Sequence, residues 1–348
     1  EPKYVKRILD HLIDLKADGS FRLDLSYFDY CTGFTMTSSR FHDLFGLPPR
    51  SPEAQLTQEH MDIAASIQKV IEIAVLRLTC SLIKESGEKN LCLAGGVALN
   101  CVANGKILRE GNQESIWIQP ASGDSGGAIG AALAAHYLHL DQPRKSVGSG
   151  DSMKGGYLGP EFSDEEIIKS LEEVSAKFEI LEEVDLIRAC VEILKEGKAL
   201  GWFQGRMEFG PRALGARSIL GDPRSPQMQS ILNQKIKFRE SFRPFAPSVL
   251  REDVADWFDM NDDSPYMLLV ADVAKKVQRS MTNEQKQLFG IEKLNIPRSD
   301  IPAVTHVDYS ARIQTVHSET NGRYYKLLSE FKVQTGCPVL INTSFNVR

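Results

Sequence analysis

The sequence lacks several features that would assign it to a simple class of protein. No apolar run approaches the roughly 20 residues that a membrane-spanning helix needs. Six cysteines are scattered through 348 residues with no CxxC pair. Three of them (Cys80, Cys92 and Cys101) lie among apolar or small residues, which predicts reduced core cysteines in a cytoplasmic protein. No HxxxH or HExxH motif occurs, so the histidines offer little sign of a metal site.

Positive charge is also in short supply. Lys and Arg number 41 against 46 Asp and Glu, which gives a formal net charge of −5. Phosphate-backbone affinity comes from summed positive charge, so this balance argues against a general nucleic-acid binder. A small phosphorylated ligand, by contrast, needs only a local positive field. We therefore expect no nucleic acid and no membrane among the partners.

The order of apolar segments indicates α/β architecture. A helix is predicted over 60–86, and two strand–glycine turn–helix units follow, with strands at 90–96 and 115–120 and helices at 98–109 and 128–140. The stretch 141–160 is rich in Gly, Pro and Ser and is the predicted domain boundary. Beyond it a second α/β or α+β domain is predicted. Its helices are expected near 184–196, 225–236 and 322–334, and its strands near 199–203, 246–250, 266–272, 312–316 and 338–342.

Two glycine-rich turns carry the candidate functional residues of the first half. In AGGVALN (94–100) the glycines could admit phosphate oxygens to backbone N–H groups, or could simply form a tight strand-to-helix turn. In SGDSGG (122–127), Asp124 is either a metal ligand or the N-cap of the next helix. The pair of turns is similar to the nucleotide-phosphate cleft of actin, sugar kinases and Hsp70.

A basic segment dominates the second half. From residue 204 to residue 243 there are eight basic residues and three acids. The prolines of FGPRALGARSILGDPR and KFRESFRPFAP restrict the backbone that carries the arginines, which favours a polyphosphate-binding pocket over a solvated basic face. Arg312 and Asn342, at the ends of predicted strands, could complete that pocket. The alternatives are a surface arginine and a turn-forming asparagine.

AGGVALNCVANGKI, SGDSGGAIGAAL, FGPRALGARSILGDPR, KFRESFRPFAPSVL and PVLINTSFN occur in this order. With these motifs the chain resembles the nodulation-protein/cephamycin-type (NodU/CmcH) O-carbamoyltransferases over nearly its whole length. The resemblance implies that 1–145 is the C-terminal part of an actin-like (ASKHA, ribonuclease H-like) domain. It implies that 155–348 is a YrdC-like α/β domain that forms carbamoyl-adenylate.

The resemblance also implies an activity. Carbamoyl phosphate and ATP with Mg²⁺ would meet in the YrdC-like domain and give carbamoyl-adenylate. The actin-like domain would then transfer the carbamoyl group to a hydroxyl of a small-molecule or glycan acceptor. The residues that match the adenylation site are Arg212, Lys237, Arg243, Arg312 and Asn342. The residues that match the nucleotide-contacting turns are Gly95, Gly96, Asn100 and Gly123, and Asp124 matches a ligand of Fe²⁺ or a similar divalent metal.

The chain departs from the family pattern at its ends. Two histidines of an HxxxH element, which would complete the metal site with Asp124, belong to an N-terminal part that is absent here, and a short end after NTSFNVR is missing too. We therefore expect a fragment with an open metal site. Two other classes stay open: a tRNA-modification or RNA-binding protein, and a non-catalytic nucleotide-sensing module. The acceptor and the oligomeric state are not readable from the sequence.

The metal expectation can be tested directly. We expect the chain to hold no stoichiometric metal at Asp124, because the two histidine ligands that the resemblance requires are not in this sequence. Elemental analysis of the purified chain measures this. One tightly bound iron or zinc per chain would contradict it.

Overall fold

The computed structural model describes residues 1–51, 54–144, 148, 150–288, 290–294 and 296–346. The chain forms two compact units: unit 1 is Glu1–Cys92 with Val102–Trp117, and unit 2 is Leu93–Cys101 with Ile118–Arg348. Both glycine-rich turns therefore belong to unit 2. The predicted domain limit at 145 lies outside the described residues, as do residues 347 and 348, and the predicted domains stay a prediction.

Unit 1 is built from short elements around one long helix. In chain order they are α1 (Val5–His11), β1 (Ile13–Leu15), β2 (Phe21–Leu23), α2 (Ser39–Phe45), α3 (Gln58–Ser86), β3 (Asn90–Leu93), α4 (Cys101–Glu110) and β4 (Ser115–Ile118). Strands β1 and β2 pair antiparallel, and β3 pairs with β4. The core comprises Ile8, Leu12, Tyr27, Phe45 and Val70. This core joins α1 and α2 to α3.

Helix α3 confirms the prediction over 60–86. Its first turn is closed by the Thr57 backbone N–H, which donates to His60 Nδ1 at 3.1 Å, and it ends where Gly87 adopts a left-handed φ of 72°. Helix α4 begins later than predicted because Gly96–Leu99 first forms a separate 3₁₀ turn. The elements before α3 were not predicted, since each is too short to show a hydrophobic period.

Unit 2 contains the larger sheet and most of the helices. Its elements are α5 (Asp124–Ala134), α6 (Asp164–Glu173), α7 (Glu183–Lys195), β5 (Leu200–Phe203), β6 (Arg217–Gly221), α8 (Met228–Ile231), β7 (Ala246–Leu250), α9 (Val254–Trp257), β8 (Leu269–Asp272), α10 (Asn283–Gln287), β9 (Ser310–Val316), α11 (Gly322–Thr335) and β10 (Val339–Ser344). Wider π-type turns, Ala135–His139 and Leu232–Ile236, extend α5 and α8.

Six strands of unit 2 form one mixed sheet in the order β5-β6-β10-β7-β9-β8. Neighbouring strands are antiparallel except β7 and β9, which run parallel. The apolar run PVLIN supplies β10, whose residues Val339, Leu340 and Ile341 are fully buried. Helix α11 packs on β7 and β10 and against α7. The predicted α/β class is confirmed, and every strand predicted for the second half is present.

Strand β6 was not predicted. It lies inside the segment interpreted as a stiff basic loop, and it pairs with β5 on one side and with β10 on the other. Its sequence, RSILG, has only two large apolar residues, so no period-2 pattern stands out. The strand forms because two neighbours supply its backbone hydrogen bonds. The basic loop is therefore shorter than predicted and ends at Arg217, where β6 begins.

The prediction of core cysteines is wrong for the three residues on which it rested. Cys92 is exposed, and Cys80 and Cys101 are half-buried. The buried cysteines are Cys190 on α7 and Cys337 before β10. Small neighbours in sequence do not ensure burial, since the fold decides which helix or strand face is covered. Within the described ranges, no helix is both long enough and apolar enough to cross a bilayer.

Gly215 is a point where the backbone admits only glycine. Its φ is +97°, and a Cβ there would lie 2.2 Å from Cδ1 of the Tyr324 ring. We expect Gly215→Ala to lower the free energy of unfolding by about 3 kcal/mol, because left-handed strain and overpacking add. Gly322→Ala is the matched control: a Cβ there would have no neighbour within 4 Å, and a change within about 0.5 kcal/mol is expected. Calorimetric melting of both variants compares them, and equal effects would refute the steric argument.

Candidate functional site

A buried carboxylate organises the loop 208–217 of unit 2. Oε1 of Glu208 accepts the backbone N–H groups of Leu214 at 2.8 Å, of Ala216 at 2.8 Å and of Arg217 at 3.2 Å. Glu208 is only 7% exposed. A buried charge is tolerated when its lone pairs are satisfied in this way. The carboxylate therefore folds the loop back on itself and fixes the direction in which Arg212 leaves it.

Two carbonyls of the loop, those of Leu214 and Gly215, accept hydrogen bonds from side chains outside the loop. Leu214 O accepts the Tyr157 hydroxyl at 2.7 Å. Gly215 O accepts Trp202 Nε1 at 3.0 Å and Gln204 Nε2 at 2.8 Å. Burial raises the pKa of Tyr157 far above its ordinary range, so its hydroxyl stays a donor. Hydrogen bonds thus hold both the N–H groups and the carbonyls of the loop backbone.

Arg212 extends from this rigid loop to the first glycine-rich turn. Its Nη2 donates to Leu99 O at 3.1 Å and lies 3.9 Å from Cys101 Sγ. Its Nε is buried and has no hydrogen-bond partner among the described residues. No carboxylate in the described part of the chain forms an ion pair with it. Burial, and then the charge of Arg312, lower the pKa of Arg212.

The charge of Arg312 acts on three other basic groups. Arg312 is half-buried on β9. Burial is the main cause that lowers the pKa values of Arg212, Arg239 and His306, and the charge of Arg312 lowers each of them further. For Arg239 burial is the main cause, followed by Arg243. Arg239 Nε donates to Asn233 Oδ1 at 2.8 Å, so its hydrogen-bond partner is neutral. Like charges held together in this way create a local positive field inside an acidic protein.

Lys237 is buried at the C-terminal end of β10. It is 3% exposed, and its Nζ donates to Asn346 O at 2.7 Å, to Asn346 Oδ1 at 3.0 Å and to the backbone oxygen of Ser344. All of these partners are neutral oxygens. Burial, and then the charge of Arg239, lower the pKa of Lys237 to about 8. Lys237 therefore holds Ser344 and Asn346 by hydrogen bonds. Its positive charge is not paired with a carboxylate among the described residues.

The remaining arginines of the basic segment have structural partners. Arg224 forms a two-pronged pair with Asp222, with Nε–Oδ1 at 2.9 Å and Nη2–Oδ2 at 2.6 Å. Arg217 stacks 3.6 Å from the centre of the Phe203 ring and donates to several carbonyls. Arg243, one of the predicted site residues, forms a surface ion pair with Glu240 at 2.9 Å. These side chains are engaged with other groups of the chain, whereas Arg212 and Arg312 form no ion pair among the described residues.

Asn342 lies in the sheet beneath the loop and is 1% exposed. Its Nδ2 donates to Gln314 Oε1 at 2.9 Å and to Ser248 Oγ at 3.1 Å. Gln314 in turn donates from Nε2 to Leu214 O at 2.8 Å. Asn342 is therefore connected to the loop through one side chain. Arg312 lies two residues before Gln314 on β9 and shares its face of the sheet.

The first glycine-rich turn approaches this region through its backbone. Gly95 has φ +91° and begins the 3₁₀ turn, and the space around Gly95 and Gly96 is open to 4 Å. Asn100 ends the turn, with its N–H on Val97 O at 2.9 Å. Gly123 precedes α5, and a Cβ there would lie 3.7 Å from Leu99. The two turns therefore adjoin, and Leu99 is the residue that Arg212 contacts.

Asp124 is exposed in the first turn of α5 and is not its N-cap, which is Gly123. The capping alternative is therefore wrong. Within the described residues, no group of three His, Cys, Asp or Glu side chains is placed to hold a metal ion. His136 and His139 are not grouped with Asp124. The described residues do not fit the divalent metal that the sequence resemblance implies.

The structure brings Arg212, Arg312 and Asn342 to the region between the loop and the sheet, and it places Lys237 at the strand end. Arg243 and Asp124 face solvent instead. Two organising residues, Glu208 and Gln314, were not predicted as site residues. Glu208 carried a signal, because it is the only acid between residues 204 and 221. Gln314 carried none, since a glutamine within an apolar strand has no characteristic spacing.

The fold and the site define a mixed α/β protein with half-buried arginines suited to an anionic ligand. Two family models match the chain: the carbamoyltransferase N-terminus over residues 1–133 and the carbamoyltransferase C-terminus over residues 191–348. The chain belongs to the carbamoyltransferase family. The resemblance noted from the sequence motifs is thereby confirmed at the family level.

Curated relatives agree with the family models. An uncharacterized protein of Synechocystis sp. is 62% identical over 100% of this chain and 57% of its own length. Nodulation protein NolO of Bradyrhizobium diazoefficiens is 39% identical over 83% of this chain and 49% of its own length. Nodulation protein U of Rhizobium tropici is 34% identical over 88% and 47%. The chain thus spans about half the length of the curated relatives it matches.

The role of Glu208 predicts a graded loss of stability. Glu208→Ala leaves three backbone N–H groups without their acceptor, and we expect a loss of about 3 kcal/mol or more in the free energy of unfolding. Glu208→Gln keeps one acceptor oxygen and is expected to lose about half as much. Glu161→Ala, which removes a surface pair with Arg206 at 3.5 Å, should change stability by less than about 0.5 kcal/mol. Urea unfolding measures all three, and a Glu208→Ala effect as small as the control would disprove the anchoring role.

The pKa of Lys237 predicts a pH dependence. The folded-state pKa of about 8 lies below the ordinary 10.5, so the unfolded chain binds more protons between these values. The free energy of unfolding should therefore rise with pH through that window. Lys237→Met should remove this rise, and Lys235→Met, an exposed neighbour, should keep it. Unfolding curves from about pH 7.5 to about pH 10.5 test it, and identical slopes in the two variants would contradict the shift.

Proposed function

We propose that the chain takes part in ATP-dependent O-carbamoyl transfer, and that the region around Arg212 and Arg312 forms carbamoyl-adenylate from carbamoyl phosphate and ATP. Membership in the carbamoyltransferase family supports the transfer of a carbamoyl group. The proposal goes beyond that family assignment in three respects: the adenylate intermediate, the use of ATP and the YrdC-like nature of the second half. The relatives are about twice as long, so the activity of the complete protein belongs to the proposal as well.

The observation that carries the proposal is the pair of half-buried arginines, Arg212 and Arg312, without a counter-charge among the described residues. Arg212 is held by a loop that a buried carboxylate and two anchored carbonyls keep rigid, yet its own Nε is unsatisfied. Arg312 adds a second positive charge close enough to lower its pKa. Holding two like charges close together in a partly buried region is costly, and an anionic ligand between them would offset that cost. Two polyanionic substrates supply such charge.

The proposed step conserves atoms as follows. Water cleaves the P–O bond of carbamoyl phosphate and gives carbamate and inorganic phosphate. A carbamate oxygen then attacks the α-phosphorus of ATP, the bond from that phosphorus to the bridging oxygen of the β-phosphate breaks, and pyrophosphate leaves. Arg212 and Arg312 would stabilise the negative charge on the phosphoryl oxygens, because fixed cations in a site with little water act most strongly. Lys237 would hold the backbone of residues 344–346 beside them.

Transfer completes the proposed reaction. The hydroxyl oxygen of a small-molecule or glycan acceptor attacks the carbonyl carbon of carbamoyl-adenylate, AMP leaves, and the hydroxyl proton is released. We place this step with the actin-like half, where the turns at Gly95 and Gly123 would contact nucleotide through their backbone N–H groups. Gly96 and Asn100 belong to the same turn. The Mg²⁺ would enter with ATP and neutralise its phosphates.

Pyrophosphate release tests the proposal. We expect release from ATP that requires carbamoyl phosphate and that falls by about 100-fold or more in Arg212→Ala, because one fixed cation is lost from the phosphoryl charge. Arg206→Ala is the matched control: it belongs to the same basic segment but forms a surface pair with Glu161, and its rate should stay within about twofold.

Two results would overturn the proposal. Release without carbamoyl phosphate would show an ordinary nucleotide hydrolase. Equal rates in the wild-type chain and in a folded Arg212→Ala variant would remove the arginine from the site. Melting curves of both variants show whether they are folded. We expect the fold to persist, because a loop arginine contributes little to core packing.

A further inference from the structure

A chain of hydrogen bonds fixes which way the Asn342 amide faces. The carbonyl of Leu214 can only accept, so Gln314 must present its NH₂ group there, and Nε2 lies 2.8 Å away. Oε1 of Gln314 is then an acceptor and receives Asn342 Nδ2 at 2.9 Å. It also lies within hydrogen-bonding distance of Ser248 Oγ, at 2.5 Å. The carbonyl of Leu214 thus sets the orientation of the Gln314 amide, and Gln314 sets that of Asn342. Asn342 Oδ1 must therefore point away from Gln314.

That oxygen is buried and unsatisfied. Asn342 is 1% exposed, and Oδ1 has no hydrogen-bond partner among the described residues. A buried acceptor without a donor is rare in folded proteins and costs stability. The rest of the amide is satisfied by Gln314 and Ser248, and rotation of Asn342 would turn Oδ1 toward Gln314 Oε1, which is also an acceptor, and toward the Ser248 hydroxyl, which already donates to Gln314. The free oxygen is therefore a fixed feature of the site.

A buried donor without a hydrogen-bond partner lies on the loop that this network supports. Arg212, two residues before Leu214, has a buried Nε without a partner in the described part of the chain. Besides the buried Tyr324 hydroxyl, which also lacks a partner among the described residues, the region offers one unsatisfied cationic donor and one unsatisfied neutral acceptor. An anion that also carries an N–H group satisfies both. Carbamoyl phosphate has this composition, whereas acetyl phosphate has a methyl group in place of the NH₂.

We propose that Asn342 Oδ1 accepts an N–H of the carbamoyl group, and that Gln314 is the positioning residue that keeps this oxygen facing the substrate. The site would thereby select a carbamoyl over an acetyl group of the same size and charge. This inference rests on the proposed function and names the selectivity of that site. A site built around a substrate N–H discriminates strongly against an analogue without it, because its own acceptor is then left unpaired.

The experiment compares carbamoyl phosphate with acetyl phosphate in two measurements on the full chain. Calorimetry gives the affinity for each phosphate, and pyrophosphate release from ATP gives kcat/KM for each. We expect the wild-type chain to prefer carbamoyl phosphate by about 10- to 100-fold in affinity. Asn342→Leu, which removes the acceptor but keeps the volume, should reduce this preference to below about threefold.

Two further variants separate positioning from general damage. Gln314→Leu keeps Asn342 but frees its amide to rotate, so the preference should fall as it does in Asn342→Leu. Ser248→Ala is the control in the same network: the connection from Leu214 through Gln314 to Asn342 stays intact, and the preference should be retained. If Gln314 were merely structural, its loss would weaken both phosphates equally and leave their ratio unchanged.

The outcomes distinguish this inference from the proposed function. Selective binding without pyrophosphate release would support the inference and refute the adenylation step. Pyrophosphate release with equal preference for the two phosphates would support adenylation and overturn the inference. Absence of binding by a folded wild-type chain would overturn the inference as well. A preference that survives in Asn342→Leu would assign the selectivity to another group.

Discussion

The carboxylate of Glu208 is the constraint on which the candidate site depends. It takes three backbone N–H groups of its own loop onto one oxygen. A loop of this length would otherwise have to find water for those donors, and at this burial little water is at hand. Once the loop is closed, the carbonyl of Leu214 has a fixed position. Gln314 and Tyr157 then hold it from the sheet and from the preceding segment.

The closed loop determines which basic side chains are free. Arg217 and Arg224 lie at its end and beyond it, where a ring, several carbonyls and Asp222 occupy them. Arg212 leaves the loop toward the first glycine turn and has no acid to pair with among the described residues. An acidic protein can thus keep a strongly positive region, because its carboxylates are placed elsewhere by the fold. The positive field is local, as the net charge of −5 requires.

Unit 2 also joins two motifs that are far apart in sequence. The turn at 94–100 and the loop at 208–217 meet at the contact of Arg212 with Leu99. Membership in the carbamoyltransferase family accounts for the presence of both motifs in one chain. The structure shows in addition that Arg212 of the basic loop donates a hydrogen bond to the backbone of a turn suited to phosphate. A nucleotide bound at that turn would therefore lie near the positive charge.

Much of this protein was determined by the sequence alone. The period of apolar residues defined α3, α7 and α11, and the short apolar runs defined the strands β5, β7 and β10, since burial of those faces is a local requirement. The motifs around Arg212 and Asn342 indicated the family. Tertiary structure alone decided the rest. Strand β6 exists only because two strands flank it, Arg243 and Asp124 lie at the surface, and Glu208 and Gln314 act through partners up to 100 residues away. Such hydrogen bonds depend on which groups the fold brings together, and no local pattern records them.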